Sequence, residues 1–316
     1  MYDRVLPAGF LLGILLFLVY FVTLSAPLHF PSATYIKVAK GQSFDQVAQM
    51  LEEREVIRSA KVFALAARLY GNKEDIMSGE YFFSEPIGVV SVARRLMRGH
   101  FELIPLKITI PEGVSTRQMA TLLAKKIPDF DGESFFEQAK AKEGYLFPDT
   151  YFFLPGADPE DVIEALEENF KRKTNDTKVQ EALKKSGKTM REIVIMASLL
   201  EKEAAKIEDR RMVAGILWKR ISIGMPLQVD AVFPYIIGKN TFELTRADLK
   251  IDSPYNTYKY KGLPVGPIAN PGLESMMAAM TPIKSNYVFY LTDMQSKFHF
   301  SVTYAQHLAN QKKYLP

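Results

Sequence analysis

The apolar pattern along this chain changes character several times, and each change predicts a different kind of element. The first stretch is unbroken: Ala8 to Leu28 reads AGFLLGILLFLVYFVTLSAPL, with no charged side chain between Arg4 and His29. Those 21 residues would span roughly 30 Å as a helix, about one hydrocarbon core, so residues 1–30 are predicted to be a short N-terminus and a membrane anchor. A cleaved signal peptide competes with this reading, but its apolar region runs to about 7–15 residues, and Ser25-Ala26 is a weak cleavage site. Arg4 and the α-amino group are offset by Asp3, while Lys37 and Lys40 lie on the other side. Charge therefore says little about orientation, and the bulk of chain beyond the segment favours export of the C-terminal portion.

Alternation comes next, and it comes twice. Ile36-Lys-Val-Ala-Lys-Gly-Gln-Ser-Phe-Asp-Gln-Val-Ala-Gln-Met-Leu51 lies over Ile108-Thr-Ile-Pro-Glu-Gly-Val-Ser-Thr-Arg-Gln-Met-Ala-Thr-Leu-Leu123 at an offset of 72 residues. Ile36/Ile108, Gly41/Gly113, Ser43/Ser115, Gln46/Gln118, Ala48/Ala120 and Leu51/Leu123 coincide. Each copy predicts a strand, a glycine turn, a serine N-cap and a short amphipathic helix. The offset exceeds a usual solenoid repeat, which points to duplicated small modules. The first spans residues 33–105, completed by a helix over Lys61–Tyr70 and a strand over Gly79–Phe83. The second, 106–187, runs on into helical stretches at Ser134–Lys142, Pro159–Lys173 and Lys178–Lys185.

Ser186-Gly187-Lys188 marks a predicted boundary before a last domain, 188–316. There Thr189-Met-Arg-Glu192 fits a capping box, and Ile193 to Leu200 is apolar around its circumference apart from Ser198, as in a central, buried helix. That helix ends in Glu201-Lys202-Glu203. The two glutamates, two positions apart, point about 200° away from each other, so only one can face a given cleft. A carboxyl against an apolar wall holds its proton more readily, as a general acid requires. The alternative is that both glutamates solvate the helix end and pair with Lys202 and Lys206.

Composition narrows the function. The 316 residues carry a net charge of +4, which is too small and scattered to suggest nucleic acid. There is no cysteine, which excludes disulfides and thiolate metal sites without fixing a compartment. His29, His100, His299 and His307 have no ligand spacing, so no metal site is expected. Pro and Tyr crowd the C-terminal third, in three stiffened loops: Gly224-Met-Pro-Leu-Gln-Val-Asp230, Asp252-Ser-Pro-Tyr-Asn-Thr-Tyr258 and Gly262-Leu-Pro-Val-Gly-Pro-Ile-Ala-Asn-Pro-Gly272. Gln228, Asp230, Ser253, Tyr255, Asn256, Thr257, Tyr258 and Asn270 make these a candidate polar groove with aromatic walls, a surface suited to sugars. Loops of this kind also pack on cores without binding anything.

The Glu201-Lys-Glu-Ala block, Val213-Ala-Gly with Lys219-Arg220, and the three loops resemble, in order, the signature blocks of the endolytic murein transglycosylases, the YceG-like family. The resemblance implies an α+β protein with one N-terminal membrane helix, a LysM-like region and a C-terminal catalytic domain. It implies single-pass anchoring in the bacterial cytoplasmic membrane, with the catalytic domain outside. It further implies that Glu201, the first glutamate of its block, is the catalytic residue. Such an enzyme uses one carboxyl to cut the MurNAc–GlcNAc bond of peptidoglycan glycan strands and leave 1,6-anhydro-MurNAc ends, without a cofactor. Penicillin-binding proteins and other wall-synthesis proteins are the partners implied. Ala204 and Val265 depart from the family pattern, which usually has Thr and Pro there. Two other classes stay open: a non-catalytic wall-binding scaffold, and a muramidase using Asp230 as a second carboxylate beside Glu201.

Overall fold

A computed structural model describes residues 5–72, 75–102 and 104–315, with the backbone alone at 5–8 and 15–19. The chain divides into two compact units, residues 1–105 with 154–156, and residues 106–153 with 157–316. Helices and two-stranded antiparallel sheets make up both.

The first unit begins with helix α1, Val5–Thr23. Helix ends here rather than reaching the expected Leu28, because Pro27 has no N–H to give and biases Ala26 away from helical angles. Among the described residues no helix is long and apolar enough to cross a membrane. The Val89 N–H donates to the Leu24 carbonyl, and Arg58 donates to the carbonyls of Ser25 and Ala26, so the chain just after α1 is fastened to its unit. Then come β1 (Thr34–Val38), α2 (Phe44–Glu53), α3 (Ala60–Ala67), β2 (Gly79–Phe83) and α4 (Val89–Arg98). β1 and β2 pair antiparallel, with Ile36 opposite Tyr81. Ile36, Val47, Leu51, Phe63, Tyr81 and Leu96 fill the space between sheet and helices.

The second unit opens with the same order: β3 (Leu106–Thr109), α5 (Thr116–Lys126), α6 (Gly132–Ala139) and β4 (Thr150–Phe153). Ile108 stands opposite Tyr151. The sequence repeat is thus a repeat of β-α-α-β structure, down to its caps. Ser43 accepts from the Gln46 N–H while the Gln46 side chain accepts from the Ser43 N–H, and Ser115 and Gln118 do the same. The later helical stretches form α7 (Pro159–Thr174) and α8 (Thr177–Ser186).

The remainder is α9 (Met190–Glu203), α10 (Ile207–Ser222), α11 (Val232–Ile237), α12 (Leu273–Met280), a hairpin of β5 (Phe289–Thr292) and β6 (Phe298–Ser301), and α13 (Tyr304–Tyr314). The capping box predicted at Thr189 and Glu192 starts α9. Every residue from Ile193 to Leu200 is buried, against Val213 and Leu217 of α10 and Met276 and Ala279 of α12, among others. The large side chains in that run contribute about 1.5–3 kcal/mol each, enough to fix the rotation of α9 and with it the directions of its last two glutamates. α13 packs on the hairpin, where the Tyr314 ring stacks on His299 at 3.6 Å.

Candidate active site

The last turn of α9 presents its two carboxyls to quite different surroundings. The Glu201 side chain is 5% exposed. Arg210 on α10 donates from Nη2 to its Oε1 at 2.8 Å, and the Gly272 N–H donates to its Oε2 at 2.9 Å. The same guanidinium donates from Nε to the Ala204 carbonyl, which closes the end of α9. Gly113, in the turn before α5, lies so close that a Cβ there would sit 3.0 Å from the Glu201 Cγ. Glu112 packs on Gly272, and burial, followed by the charge of Glu201, raises its pKa. The apolar wall expected beside Glu201 is therefore a polar knot, with both carboxylate oxygens already engaged. A salt bridge this well enclosed serves mainly to satisfy two charges taken out of water.

Glu203 faces the other way. It lines a cleft of about 520 Å³ together with Lys202, Arg220, Gln228, Asp230, Tyr258 and Tyr290, and with rings from β5, α13 and the 241–242 turn. Tyr290 on β5 donates its hydroxyl to Oε2 at 2.9 Å. Oε1 has no hydrogen-bond partner among the described residues. The carboxyl is pushed up to about 7, first by burial and then by the negative charge of Asp230, while the Tyr290 hydrogen bond and the Arg220 charge pull it back. Arg220 is itself buried, with Nε on the Val288 carbonyl and Nη1 on that of Leu227, so it ties the hairpin to the cleft floor.

The three loops divide between lining and support. Leu227 to Asp230 alternates buried with exposed, which turns Gln228 and Asp230 outward into the cleft. Gln228 does so at φ 51°, a left-handed angle that costs an L-residue about 1–2 kcal/mol and is held by its N–H on the Thr257 carbonyl. The Tyr258 hydroxyl donates to Asp230 Oδ1 at 2.5 Å. Gln228, Asp230 and Tyr258 are thus brought together, beside Glu203 instead of Glu201.

The other sequence candidates lie elsewhere. Asn256 is fully buried: its amide donates to the carbonyls of Leu249 and Ile251 and accepts from the Tyr258 N–H. The Thr257 hydroxyl accepts from the Val229 N–H. The Ser253 hydroxyl accepts from the Tyr255 N–H within its own turn, and the Tyr255 ring packs on Tyr235 at 5.0 Å. Asn270 is fully buried and joins the second repeat to α12, accepting from Gly144 and Leu146 and donating to Val114 and Glu143. Burial pushes Glu143 up to about 7, against hydrogen bonds from Thr116 and Asn270. None of these five lines the cleft. Tyr290 was missed because it sits in β5 within a run of apolar and aromatic residues, Tyr287 to Leu291, with nothing local to mark it. Among the described residues no group of three His, Cys, Asp or Glu is placed to hold a metal ion.

Fold and cleft define a mixed helix-and-sheet protein whose central helix delivers a carboxyl to a cleft with polar and aromatic walls. Its sequence matches the profile of the YceG-like family over residues 36–313, and the chain belongs to that family. It is 31% identical over 307 residues to an endolytic murein transglycosylase of Bacillus subtilis (strain 168), a match spanning 89% of this chain and 84% of that one. An endolytic murein transglycosylase of Streptococcus pneumoniae (serotype 2, strain D39) is 27% identical over 90% of this chain, which spans 59% of that longer protein. The crystal structure of a YceG-like protein from Listeria monocytogenes superposes with a TM-score of 0.60 at 28% identity, covering 87% of this chain and 98% of that one.

Proposed function

We propose that this chain is a peptidoglycan lytic transglycosylase that cuts glycan strands internally, with Glu203 as its acid and base. The observation that carries the reading is the Glu203 carboxyl, pushed up to about 7 and facing the cleft with one oxygen unengaged. Near neutral pH such a group carries a transferable proton, and it faces the cleft, whereas both oxygens of Glu201 are taken by Arg210 and Gly272. Glu203 passes this proton to the glycosidic oxygen between MurNAc and GlcNAc, and the C1–O bond breaks. The resulting carboxylate then takes the proton of the same MurNAc C6 hydroxyl, and O6 closes on C1 to give the 1,6-anhydro sugar. No water is consumed, and Glu203 ends protonated as it began. Tyr290 holds the carboxyl in place, while Gln228 and Asp230 offer hydrogen bonds to hydroxyl and N-acetyl groups.

Asp230 in the same cleft favours a second reading, hydrolysis with Asp230 as the second carboxylate. The two are separated by the mass of the products from purified glycan strands. An anhydro end is one water lighter than a hydrolysed one, and a reducing-end MurNAc would establish the muramidase. Purified protein that binds strands without cutting them would leave only the scaffold. The same proposal has α1, an apolar helix with no charged side chain, attach the chain to the bacterial cytoplasmic membrane with the catalytic part outside, near penicillin-binding proteins. It takes residues 33–105 and 106–187 as LysM-like modules before the catalytic residues 188–316, supported by their shared β-α-α-β order. Removing residues 1–30 should release a soluble protein that still cuts glycan.

A further inference from the structure

One ring on the cleft is out of keeping with the rest. Phe242 is 95% exposed, yet it lines the same cleft as Glu203. The other aromatic side chains there have ring partners: Phe289 packs on Tyr304 and His307, Tyr290 on Phe298, and Tyr258 on Phe233. Phe242 stacks on no other described ring. A single exposed apolar side chain is ordinary on a protein surface, so its position and its support carry the argument.

That support is firm. Phe242 lies in a short helical turn, Thr241–Glu243, whose N-cap Asn240 accepts from the Phe242 N–H. The loop behind it closes on Asp248, which receives Lys239 Nζ at 2.9 Å on Oδ1 and both the N–H and the hydroxyl of Thr245 on Oδ2. These bonds hold the Asp248 carboxyl well below the usual carboxylate range, at about 2, so the clasp stays charged at any pH where the protein works. Backbone that is pinned on both sides of a bare ring fixes where the ring projects from the chain, and backbone already ordered saves that part of the cost of binding.

We propose that Phe242 is a stacking platform for the glycan strand, receiving the C–H face of a pyranose ring on the approach to Glu203. A β-linked amino sugar has axial hydrogens on one face and polar groups at its edge, which suits an aromatic face backed by polar residues such as Gln228 and Asp230. The proposal rests on the glycan-cutting reading for the identity of its ligand, and it assigns Phe242 to binding rather than to the reaction. It also gives an endolytic enzyme what it needs away from the scissile bond, a hold on the strand that does not depend on a chain end.

Binding is measured with purified, peptide-free glycan strands on the Glu203→Gln protein, which retains the strand intact. Adding Phe242→Ala is expected to weaken binding roughly tenfold, with Phe242→Trp restoring it to within about threefold and the melting temperature unchanged throughout. In the active protein Phe242→Ala should raise KM by a similar factor and leave kcat within about twofold. Unchanged binding in Phe242→Ala, or full binding in Phe242→Leu, would overturn the platform. If the wild-type protein binds strands without cutting them, the enzyme reading fails while the same binding comparison still decides the platform.

Discussion

Two sides of one helical turn carry the same side chain to opposite ends. On one side of α9, Glu201 is enclosed by Arg210, Gly272 and the Gly113 turn, with both oxygens occupied. On the other, Glu203 has one hydrogen bond, a raised pKa and a cleft in front of it. The difference comes from what the tertiary fold brings to each face. A cation and a backbone N–H engage both oxygens of Glu201, whereas burial, with the negative charge of Asp230 behind it, raises the pKa of Glu203.

The sharpest way to break this comparison is to neutralise each carboxyl in turn. Glu203→Gln keeps shape and hydrogen bonding but has no proton to cycle, so turnover of glycan strands should fall by about 10²–10⁴-fold, with the melting temperature preserved. Glu201→Gln should do the reverse. It leaves the Arg210 guanidinium buried without its carboxylate, at a cost of about 3 kcal/mol, visible in denaturant unfolding, while folded protein retains turnover within about tenfold of wild type. An equal loss of turnover in both variants would erase the distinction. A smaller effect separates lining from support: Asn256→Ala removes a buried amide that satisfies three backbone groups, and should cost about 1–3 kcal/mol of stability with little change in KM. A rise in KM at constant stability would return Asn256 to the substrate groove.

The β-α-α-β repeat was legible because it is local. Ser43 with Gln46, and Ser115 with Gln118, are caps written within four residues, and alternation marks the strands beside them. The capped start of α9 and its buried run were legible for the same reason. Periodicity also showed that Glu201 and Glu203 diverge, but not which face meets a cleft, since Arg210 arrives from the next helix and Tyr290 from a strand 87 residues on. The two repeats make the same point, because Gly41 and Gly113 occupy matching turns at positive φ, yet Gly41 borders open space and Gly113 borders Glu201. Polar loop residues were harder to read for another reason. Loops without regular pairing must satisfy backbone N–H and C=O groups through side chains, and Asn256, Thr257 and Asn270 are occupied by that task.

The central claim, that Glu203 moves the proton, is tested most directly by the pH dependence of kcat/KM for glycan cleavage in the wild type and in Tyr290→Phe. The protonated form is the competent acid, so the rate should hold on the acid side and fall as pH rises through about 7. The Tyr290 hydrogen bond lowers the Glu203 pKa, so removing it should move that fall to higher pH. A rate that is level from about pH 5 to about pH 9, or a fall that stays in place without the Tyr290 hydroxyl, would contradict the assignment.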